Sequence, residues 1–404
     1  MNGCARAVVL GIAMAFVAAG CGGAPILANE PLLFPTPITA SPAPTRHPDP
    51  IAISLPRDDG PHDRLTEWWY YTGHLKAADG RRFGFEAVVF RAERGSVPAA
   101  WASHLALTDE AGNRFIYAQR AEVGPQADRS PRDAQGVATG FELDVHGLSP
   151  ALIAAGAPPL AAAPWRLAGA NGTDRIEAAL TPEEAAAAGG SFGLALDLHA
   201  LKAPVLHDGD GFVDFGAAGS SYYYSRTRMA ATGELQLDGE RLAVEGIAWF
   251  DHQWGDFVSV GAGGWDWFAI NLDDGTDITI SVVRDAHANE VLKYGTLVRP
   301  SGEVVELRRE NFGVIDGFAF WESPLSGRSY VISRGIVLDG GTTVINLTAT
   351  LREQELDTRA TTGVIYWEGS QEVEVLSVDE QGNSTPIGGG EAYVEITRYD
   401  EPPG

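Results

Sequence analysis

The sequence predicts an all-β protein built from two similar antiparallel β-domains, on two observations. From Thr66 onward, short β-prone segments are separated by Gly and Asp turn residues at regular spacing, which is typical of β-sandwiches and β-barrels. In addition, the aromatic segment 68–75 aligns with residues 265–272, and each is followed by an Asp-Gly turn and an apolar strand that ends at an arginine. Together these similarities favour a duplicated β-domain, divided near residue 230.

Alternating or aromatic segments bounded by turn residues predict the individual strands. In the first half, strands are predicted at residues 67–75, 83–91, 101–108, 114–121, 140–148, 192–200 and 220–229. One short helix is predicted in the Ala-rich segment 151–190, because Thr181 can cap a helix that starts at Pro182 and continues through two acids. In the second half, strands are predicted at residues 276–284, 293–299, 329–338, 342–351, 363–367 and 391–399.

The N-terminal residues predict a targeting segment and a tether. A basic residue precedes an apolar run that is too short for a comfortable membrane span, and small residues lead to Cys21. This pattern predicts a lipoprotein signal peptide over residues 1–20 with lipidation of Cys21; the alternative is an ordinary secretory signal cleaved nearby. Residues 21–60 are rich in Pro, Ala and Thr and predict an extended tether, followed by β-domains at 61–229 and 230–404.

Composition restricts the classes of function. The chain has 29 basic and 54 acidic residues, and its net charge of −25 argues against nucleic-acid binding and against electrostatic docking on anionic lipid. Cys4 and Cys21 are the two cysteines, and both precede the β-domains, so the domains can hold no disulfide, thiol nucleophile or Cys-metal site. We expect an extracytoplasmic protein, held on a membrane by its N-terminal lipid anchor.

Residues 248–272 are the strongest candidate for a functional site. The stretch predicts two strands joined by a Gly-rich loop, and it combines tryptophans with titratable side chains. Those residues are Trp249, Asp251, His252, Trp254, Asp256, Trp265, Asp266 and Trp267.

Asp266 is a candidate proton donor. Alternation places it on one strand face with Phe268, Ile270 and Leu272. If that face is the inward one, desolvation would favour the neutral carboxylic acid, which can donate a proton near neutral pH. The alternative is an ionised carboxylate at a strand end that accepts a hydrogen bond from a loop amide.

His252 and Trp254 share a face of the preceding strand, and Asp251 points to the opposite one. An imidazole beside an indole suits a general acid or base, and a desolvated indole face can stabilise a developing cation by up to ~2 kcal/mol. The alternative is that His252 is a structural histidine and Trp254 a core residue. The candidate catalytic residues are therefore His252, Asp266, Asp251 and Trp254.

Motifs of several other classes are missing from the sequence. It contains no His-x-Glu or His-Glu-x-x-His zinc pattern, no Gly-x-Ser-x-Gly elbow and no phosphate-binding loop. The acidic segment 273–277 is too short for an EF-hand loop and fits a turn better. We therefore expect no metal and no cofactor.

Eight ordered segments carry a resemblance to a known family. They lie at residues 67–70, 83–91, 104–109, 221–225, 251–255, 264–268, 366–369 and 393–397. With these segments the chain resembles the carotenoid 1,2-hydratase (hydroxyneurosporene synthase) and AttH-like family, whose members are often labelled predicted secreted hydrolases. The resemblance runs over nearly the whole mature chain.

The resemblance implies two consecutive lipocalin-like antiparallel β-barrel domains. In the hydratase branch it also implies addition of water to a terminal isoprenoid double bond: an acid protonates the alkene, a tertiary carbocation forms, and water captures it without a cofactor. The family's His-x-Trp motif maps onto His252 and Trp254. We expect the apolar ligand to be bound by Trp69, Tyr71, Tyr223, Trp249, Trp265, Trp267 and Phe268.

The AttH-like branch implies a different role. Its members suggest a non-catalytic carrier that holds a lipid or isoprenoid for an ABC transporter, because a lipocalin-like barrel binds apolar ligands without acid chemistry. The sequence leaves the hydratase and the carrier open. It offers no nucleophile to support the hydrolase label.

Overall fold

The computed structural model describes residues 49–95, 98–147, 163–216, 219–257, 263–285, 287 and 289–397. The predicted signal peptide, Cys21 and most of the tether lie outside these ranges. Within them, no helix combines the length and the apolar character that crossing a bilayer requires.

The first antiparallel sheet contains twelve strands among the described residues. They are β1 (Thr66–Ala77), β2 (Arg82–Ala92), β3 (Ala100–Asp109), β4 (Arg114–Val123), β5 (Phe141–Val145), β6 (Trp165–Ala170), β7 (Thr173–Ala179), β8 (Phe192–Ala200), β9 (Val205–Leu206), β10 (Phe212–Asp214), β11 (Ser220–Leu237) and β12 (Glu240–Gly255). They pair in the order β4-β3-β2-β1-β12-β11-β8-β7-β6-β5, with β9 and β10 on β11. Glu122 of β4 accepts the backbone N–H groups of His146 and Gly147 at 2.7 and 2.9 Å, which ties the two outer strands together.

The second antiparallel sheet contains ten strands in the described part of the chain. They are β13 (Gly264–Leu272), β14 (Asp277–Arg284), β15 (Glu290–Val298), β16 (Val304–Leu307), β17 (Gly313–Asp316), β20 (Ser333–Leu338), β21 (Thr343–Ala349), β22 (Glu355–Asp357), β23 (Ile365–Val378) and β24 (Ser384–Thr397), with a separate hairpin of β18 (Phe320–Glu322) and β19 (Ser329–Val331). The order is β16-β15-β14-β13-β24-β23-β21-β20-β17, with β22 on β23.

Both sheets pair their first strand with their last, and each surrounds its own hydrophobic core. We call the two sheets with these cores the first barrel and the second barrel. The prediction of an all-β protein with two barrel domains is confirmed. β1 and β13 hold equivalent positions in the strand order, which agrees with the predicted alignment of residues 68–75 with 265–272.

The division between the barrels lies later than the predicted one at 229/230. That position falls inside β11, which pairs with β8 of the first sheet. β12 then pairs along its length with β1, so it also belongs to the first barrel. The chain passes from the first sheet to the second between Gly255 and Gly264. The predicted boundary was too early because β11 and β12, which close the first barrel, are the last strands of its sequence.

The Ala-rich segment contains more structure than the predicted helix. The helix α1 (Pro182–Ala188) is confirmed, and Thr181 Oγ1 accepts the N–H of Glu184 at 3.2 Å. Strands β6 and β7 were not predicted there. Their turn is Asn171-Gly172, with φ of 51° and 76°, and this dipeptide is a strong hairpin signal even in an Ala-rich background.

The outward faces of the two sheets pack against each other. Because side chains alternate along a strand, Trp69 and Tyr71 of β1 enter the first core, whereas Tyr70 faces the second barrel. On β13, Phe268 enters the second core and Trp267 faces the first barrel.

At Gly84 of β2 the two barrels approach so closely that a Cβ atom would lie 2.9 Å from Ser370 Cβ and 3.0 Å from Tyr393 Oη. A side chain at this position would therefore push the two sheets apart. The tight packing here brings residues of both barrels into one site.

Candidate functional site

A cavity lies between the outward faces of the two barrels. The space between these faces, including the solvent at the open mouth of the cavity, is about 1000 Å³. Aromatic and aliphatic side chains form most of the wall: Trp68, Tyr70, Phe90, Phe215, Phe257, Trp265, Trp267, Val283 and Val364. Three carboxyl groups interrupt this apolar wall: Asp251, Glu368 and Glu395.

The second barrel supplies one row of cavity side chains through strand register. Glu368 of β23 lies opposite Glu395 of β24, which lies opposite Trp267 of β13. Trp267 in turn lies opposite Ser281 of β14. Directly opposed residues on neighbouring antiparallel strands point to the same face, so the row forms one wall of the cavity.

The first barrel supplies the facing row in the same way. Tyr70 of β1 lies opposite Asp251 of β12 on one side and Val88 of β2 on the other. Val88 lies opposite His104 of β3. On the same face of β1, two positions before Tyr70, Trp68 lies opposite Gln253. All the side chains of this row except Val88 line the cavity.

Asp251 is held by neutral hydrogen-bond donors. Its carboxyl accepts Tyr223 Oη at 2.5 Å and Trp249 Nε1 at 2.7 Å, and it also accepts Ser225 Oγ. Trp267 Nε1 donates to Tyr223 Oη at 3.1 Å, which connects this network to the second barrel. Burial raises the pKa of Asp251 to about 6, although the donors oppose that shift.

Glu368 is the most strongly perturbed carboxyl of the cavity. It is 1% exposed, and burial together with the negative charges of Glu86 and Glu395 raises its pKa well above the usual range. Tyr70 Oη donates to Glu368 Oε1. Burial raises the pKa of Tyr70 well above its ordinary value, so this phenol remains a donor.

Glu86 of β2 and Glu368 form a carboxyl pair across the barrel interface. Burial raises the pKa of Glu86 to about 8. Oε2 of each residue is buried and has no hydrogen-bond partner in the described part of the chain. Since ionised carboxylates only accept hydrogen bonds, these two oxygens can bond to each other only when at least one of the two groups is protonated.

The groups that contact Glu86 are neutral. Tyr366 Oη donates to Glu86 Oε1 at 3.0 Å, and His104 Nδ1 lies 2.7 Å from the same hydroxyl. Burial lowers the pKa of His104 to about 3, so the imidazole carries no charge at neutral pH.

Glu395 is the third carboxyl group of the cavity. It is half-buried and accepts a hydrogen bond from Thr397 Oγ1 at 2.7 Å, and burial raises its pKa to about 7.

Of the four predicted catalytic residues, Asp251 alone lines this cavity. His252 and Trp254 point into the first barrel, where His252 Nε2 lies 2.9 Å from Glu67 Oε1. Asp266 points into the second barrel and pairs with Arg284, Nη2 to Oδ2 at 3.0 Å. The sequence grouped these side chains by face correctly, but it did not show that the outward faces enclose the cavity.

The predicted ligand-binding aromatics divide between the same two environments. Tyr223, Trp265 and Trp267 line the cavity, and Trp249 lies behind them on Asp251. The remaining three, Trp69, Tyr71 and Phe268, are core residues of the two barrels.

Sequence reasoning missed Glu368 and Glu395, together with their partners Glu86 and Tyr70. Signals for the first two were present in the segments 366–369 and 393–397. In each, one acid stands within an aromatic or β-branched strand, which is unusual because a buried carboxyl is costly without a partner.

Fold and site together define a class: a two-barrel β-protein with a carboxyl-lined apolar cavity between the barrels. The sequence profile of the AttH-like family matches residues 46–399, and the chain belongs to this family. The resemblance proposed from the sequence is thereby confirmed.

Two solved structures share the fold. One is a protein from Nitrosomonas europaea described as AttH, with 27% identity and a TM-score of 0.67, covering 86% of this chain and 97% of that one. The other is kievitone hydratase from Nectria haematococca, with 16% identity and a TM-score of 0.58, covering 86% and 93%. No curated protein matches the chain significantly.

Proposed function

We propose that this protein is a cofactor-independent hydratase that adds water to a carbon–carbon double bond of an apolar, isoprenoid-type molecule. The proposal rests on one observation: Glu368 is a buried carboxyl that favours its neutral form and faces an aromatic-lined cavity. Such a group can donate a proton at neutral pH. The resemblance to carotenoid 1,2-hydratases supports the same class of reaction.

In the first step, Glu368 transfers its proton to the less substituted carbon of the alkene. The π electrons form the new C–H bond, and a tertiary carbocation remains on the neighbouring carbon. Trp265 and Trp267 line the same cavity, and a desolvated indole face can stabilise such a cation by up to ~2 kcal/mol. The Tyr70 hydroxyl donates to the glutamate as it becomes ionised.

In the second step, the oxygen of a water molecule bonds to the carbocation and a proton leaves that oxygen. Asp251 is suited to accept the proton because Tyr223, Ser225 and Trp249 all donate to it and hold its carboxylate oriented. Asp251 then loses the proton to solvent and Glu368 regains one. The net change is addition of H and OH, with no oxidant or reductant.

The test uses Glu368→Gln, with Glu374→Gln as a control at an exposed position farther along the same strand. Each protein is incubated with acyclic isoprenoids in H₂¹⁸O, and organic extracts are analysed by mass spectrometry. We expect the natural protein and the control to add one H₂¹⁸O to the substrate, and the Glu368→Gln rate to fall roughly 10²–10⁴-fold. Full activity of Glu368→Gln would show that another group is the acid.

A second candidate function is a non-catalytic lipid carrier serving an ABC transporter. The apolar wall of the cavity favours it, because such a wall binds lipid with or without a proton donor. Unchanged lipid in extracts of all three proteins, in equal amounts, would support the carrier and contradict the hydratase for those substrates.

We also propose that a lipid on Cys21 holds the protein on the outer side of a membrane. Cys21→Ser is expected to move the protein from the membrane fraction to the soluble fraction. Retention of the variant in the membrane fraction would contradict this anchor.

A further inference from the structure

A second polar cluster lies inside the first barrel, on the opposite face of β12 from Asp251. It consists of His62, which precedes β1, Glu67 of β1 and His252 of β12. His62 Nδ1 and His252 Nε2 lie 2.7 and 2.9 Å from the same oxygen, Glu67 Oε1. One ligand atom from each residue lies within 4.8 Å of the other two.

The surroundings hold all three side chains in place. The His62 ring is stacked on Trp254 with centroids 4.1 Å apart, and the His252 ring is stacked on Trp69 at 4.6 Å. Glu67 Oε2 accepts the backbone N–H of His62 at 2.9 Å. These contacts hold the three side chains in place, with both imidazole nitrogens against the same carboxylate oxygen.

The outer contacts of the two imidazoles favour coordination through the inner nitrogens. His62 Nε2 lies 3.4 Å from Asp58 Oδ1, and a carboxylate behind a ligating histidine is a common supporting contact in metal sites. Nδ1 of His252 has no hydrogen-bond partner among the described residues, so the ring interacts through Nε2.

We propose that His62, Glu67 and His252 bind one divalent transition-metal ion of the zinc class. Two imidazole nitrogens and one carboxylate oxygen form a donor set that zinc takes in proteins, with bonds of about 2.0–2.2 Å. Those bond lengths place tetrahedral ligands about 3.3 Å apart, so each contact to Glu67 Oε1 widens slightly on binding.

The side chain of His62 is 19% exposed, whereas Glu67 and His252 are 0% exposed. The ion therefore enters past His62, where a water molecule completes its coordination. A bound ion would link the segment that contains His62 to strands β1 and β12. It would thereby stabilise this end of the first barrel. This role is independent of the proposed hydratase reaction.

The test measures zinc binding and stability in the protein dialysed against chelator. ZnCl₂ is added with excess Mg²⁺ to occupy surface carboxylates, and retained zinc is measured by mass spectrometry after gel filtration. We expect one zinc per chain and a rise in Tm that grows with free zinc, as for a ligand that binds the folded state alone. His62→Gln is expected to lose both effects, and the exposed His199→Gln to keep both.

Absence of stoichiometric zinc, or equal retention and equal Tm gain in His62→Gln, would reduce the cluster to a hydrogen-bonded triad and overturn the proposal. X-ray absorption of the zinc-loaded natural protein gives an answer independent of any variant. Two imidazoles and one carboxylate around the zinc support the site, and a shell of oxygens without imidazole overturns it.

Discussion

Three buried carboxyl groups inside the barrels differ from the four that lie around the cavity. Inside, three buried acids each form an ion pair with an arginine at 2.9, 2.8 and 3.0 Å. The pairs are Glu184–Arg120, Asp59–Arg226 and Asp266–Arg284. A neighbouring cation favours the ionised form of a carboxyl group, so these acids are suited to a structural role.

Around the cavity, the acids Asp251, Glu86, Glu368 and Glu395 have no ion pair in the described ranges. Their partners are hydroxyl and indole groups, and burial raises the pKa of each. A carboxyl group without a cation can hold a proton near neutral pH. The partner of a buried acid, rather than its burial, therefore distinguishes the three acids paired with arginine from the cavity acids that can hold a proton.

The sharpest test of this contrast applies the same substitution in both regions. Glu184→Gln leaves Arg120 as a buried charge without its carboxylate, and we expect the free energy of unfolding at pH 7 to fall by about 3–5 kcal/mol. Glu368→Gln replaces one neutral group by another, and we expect a change below about 1.5 kcal/mol. Urea unfolding of the two variants measures both values.

A loss for Glu368→Gln as large as for Glu184→Gln would mean that the cavity carboxyl also has a charged partner. The exposed Glu374→Gln serves as the common control, because a surface substitution of this kind changes stability by roughly 0.5 kcal/mol or less.

The cavity wall should affect rate, and the barrel core should affect stability. Trp267→Phe removes an indole face from the cavity and the donor to Tyr223, so we expect kcat/KM to fall up to about 30-fold, equivalent to ~2 kcal/mol. Trp101→Phe, in the first core, should lower Tm with kcat/KM unchanged. Equal kinetic losses in both variants would contradict this separation.

The pH dependence of stability gives a smaller effect with a defined sign. The pKa of Glu86 rises from an ordinary 4.5 to about 8 in the folded protein, so between these pH values the folded state holds a proton that the unfolded state has lost. Stability therefore decreases as pH rises through this window, by at most about 1.4 kcal/mol per pH unit for one proton.

Glu86→Gln is expected to make that decrease smaller by the contribution of one proton, and urea unfolding from pH 5 to 9 measures the slope. Glu374→Gln should retain the slope of the natural protein. Parallel slopes for the natural protein and Glu86→Gln would show that Glu86 holds no extra proton in the folded state.

The fold was predictable because its signals are local. Alternation, turn residues and the repeated aromatic segment depend on neighbours in sequence, and they predicted the strands and which side chains share a face. The hairpin at Asn171-Gly172 was missed because the Ala-rich background concealed its turn signal.

The site was predictable only in part, because its acids come from distant strands. Asp251 lies in the aromatic stretch that marked the site, whereas Glu86 and Glu368 are 282 residues apart and meet only when the barrels pack. His252 and Asp266 have the residue types that acid chemistry needs, but they lie one position along the strand from the cavity face and point into the barrels.

The carboxyl pair has a consequence for what each barrel can do by itself. Glu86 belongs to the first barrel and Glu368 to the second, so a chain that ended after β12 would keep Asp251 and Tyr70 without Glu368. The carboxyl pair therefore exists only where both barrels are present and packed against each other, so any property that depends on it belongs to the two-barrel assembly and not to either barrel alone.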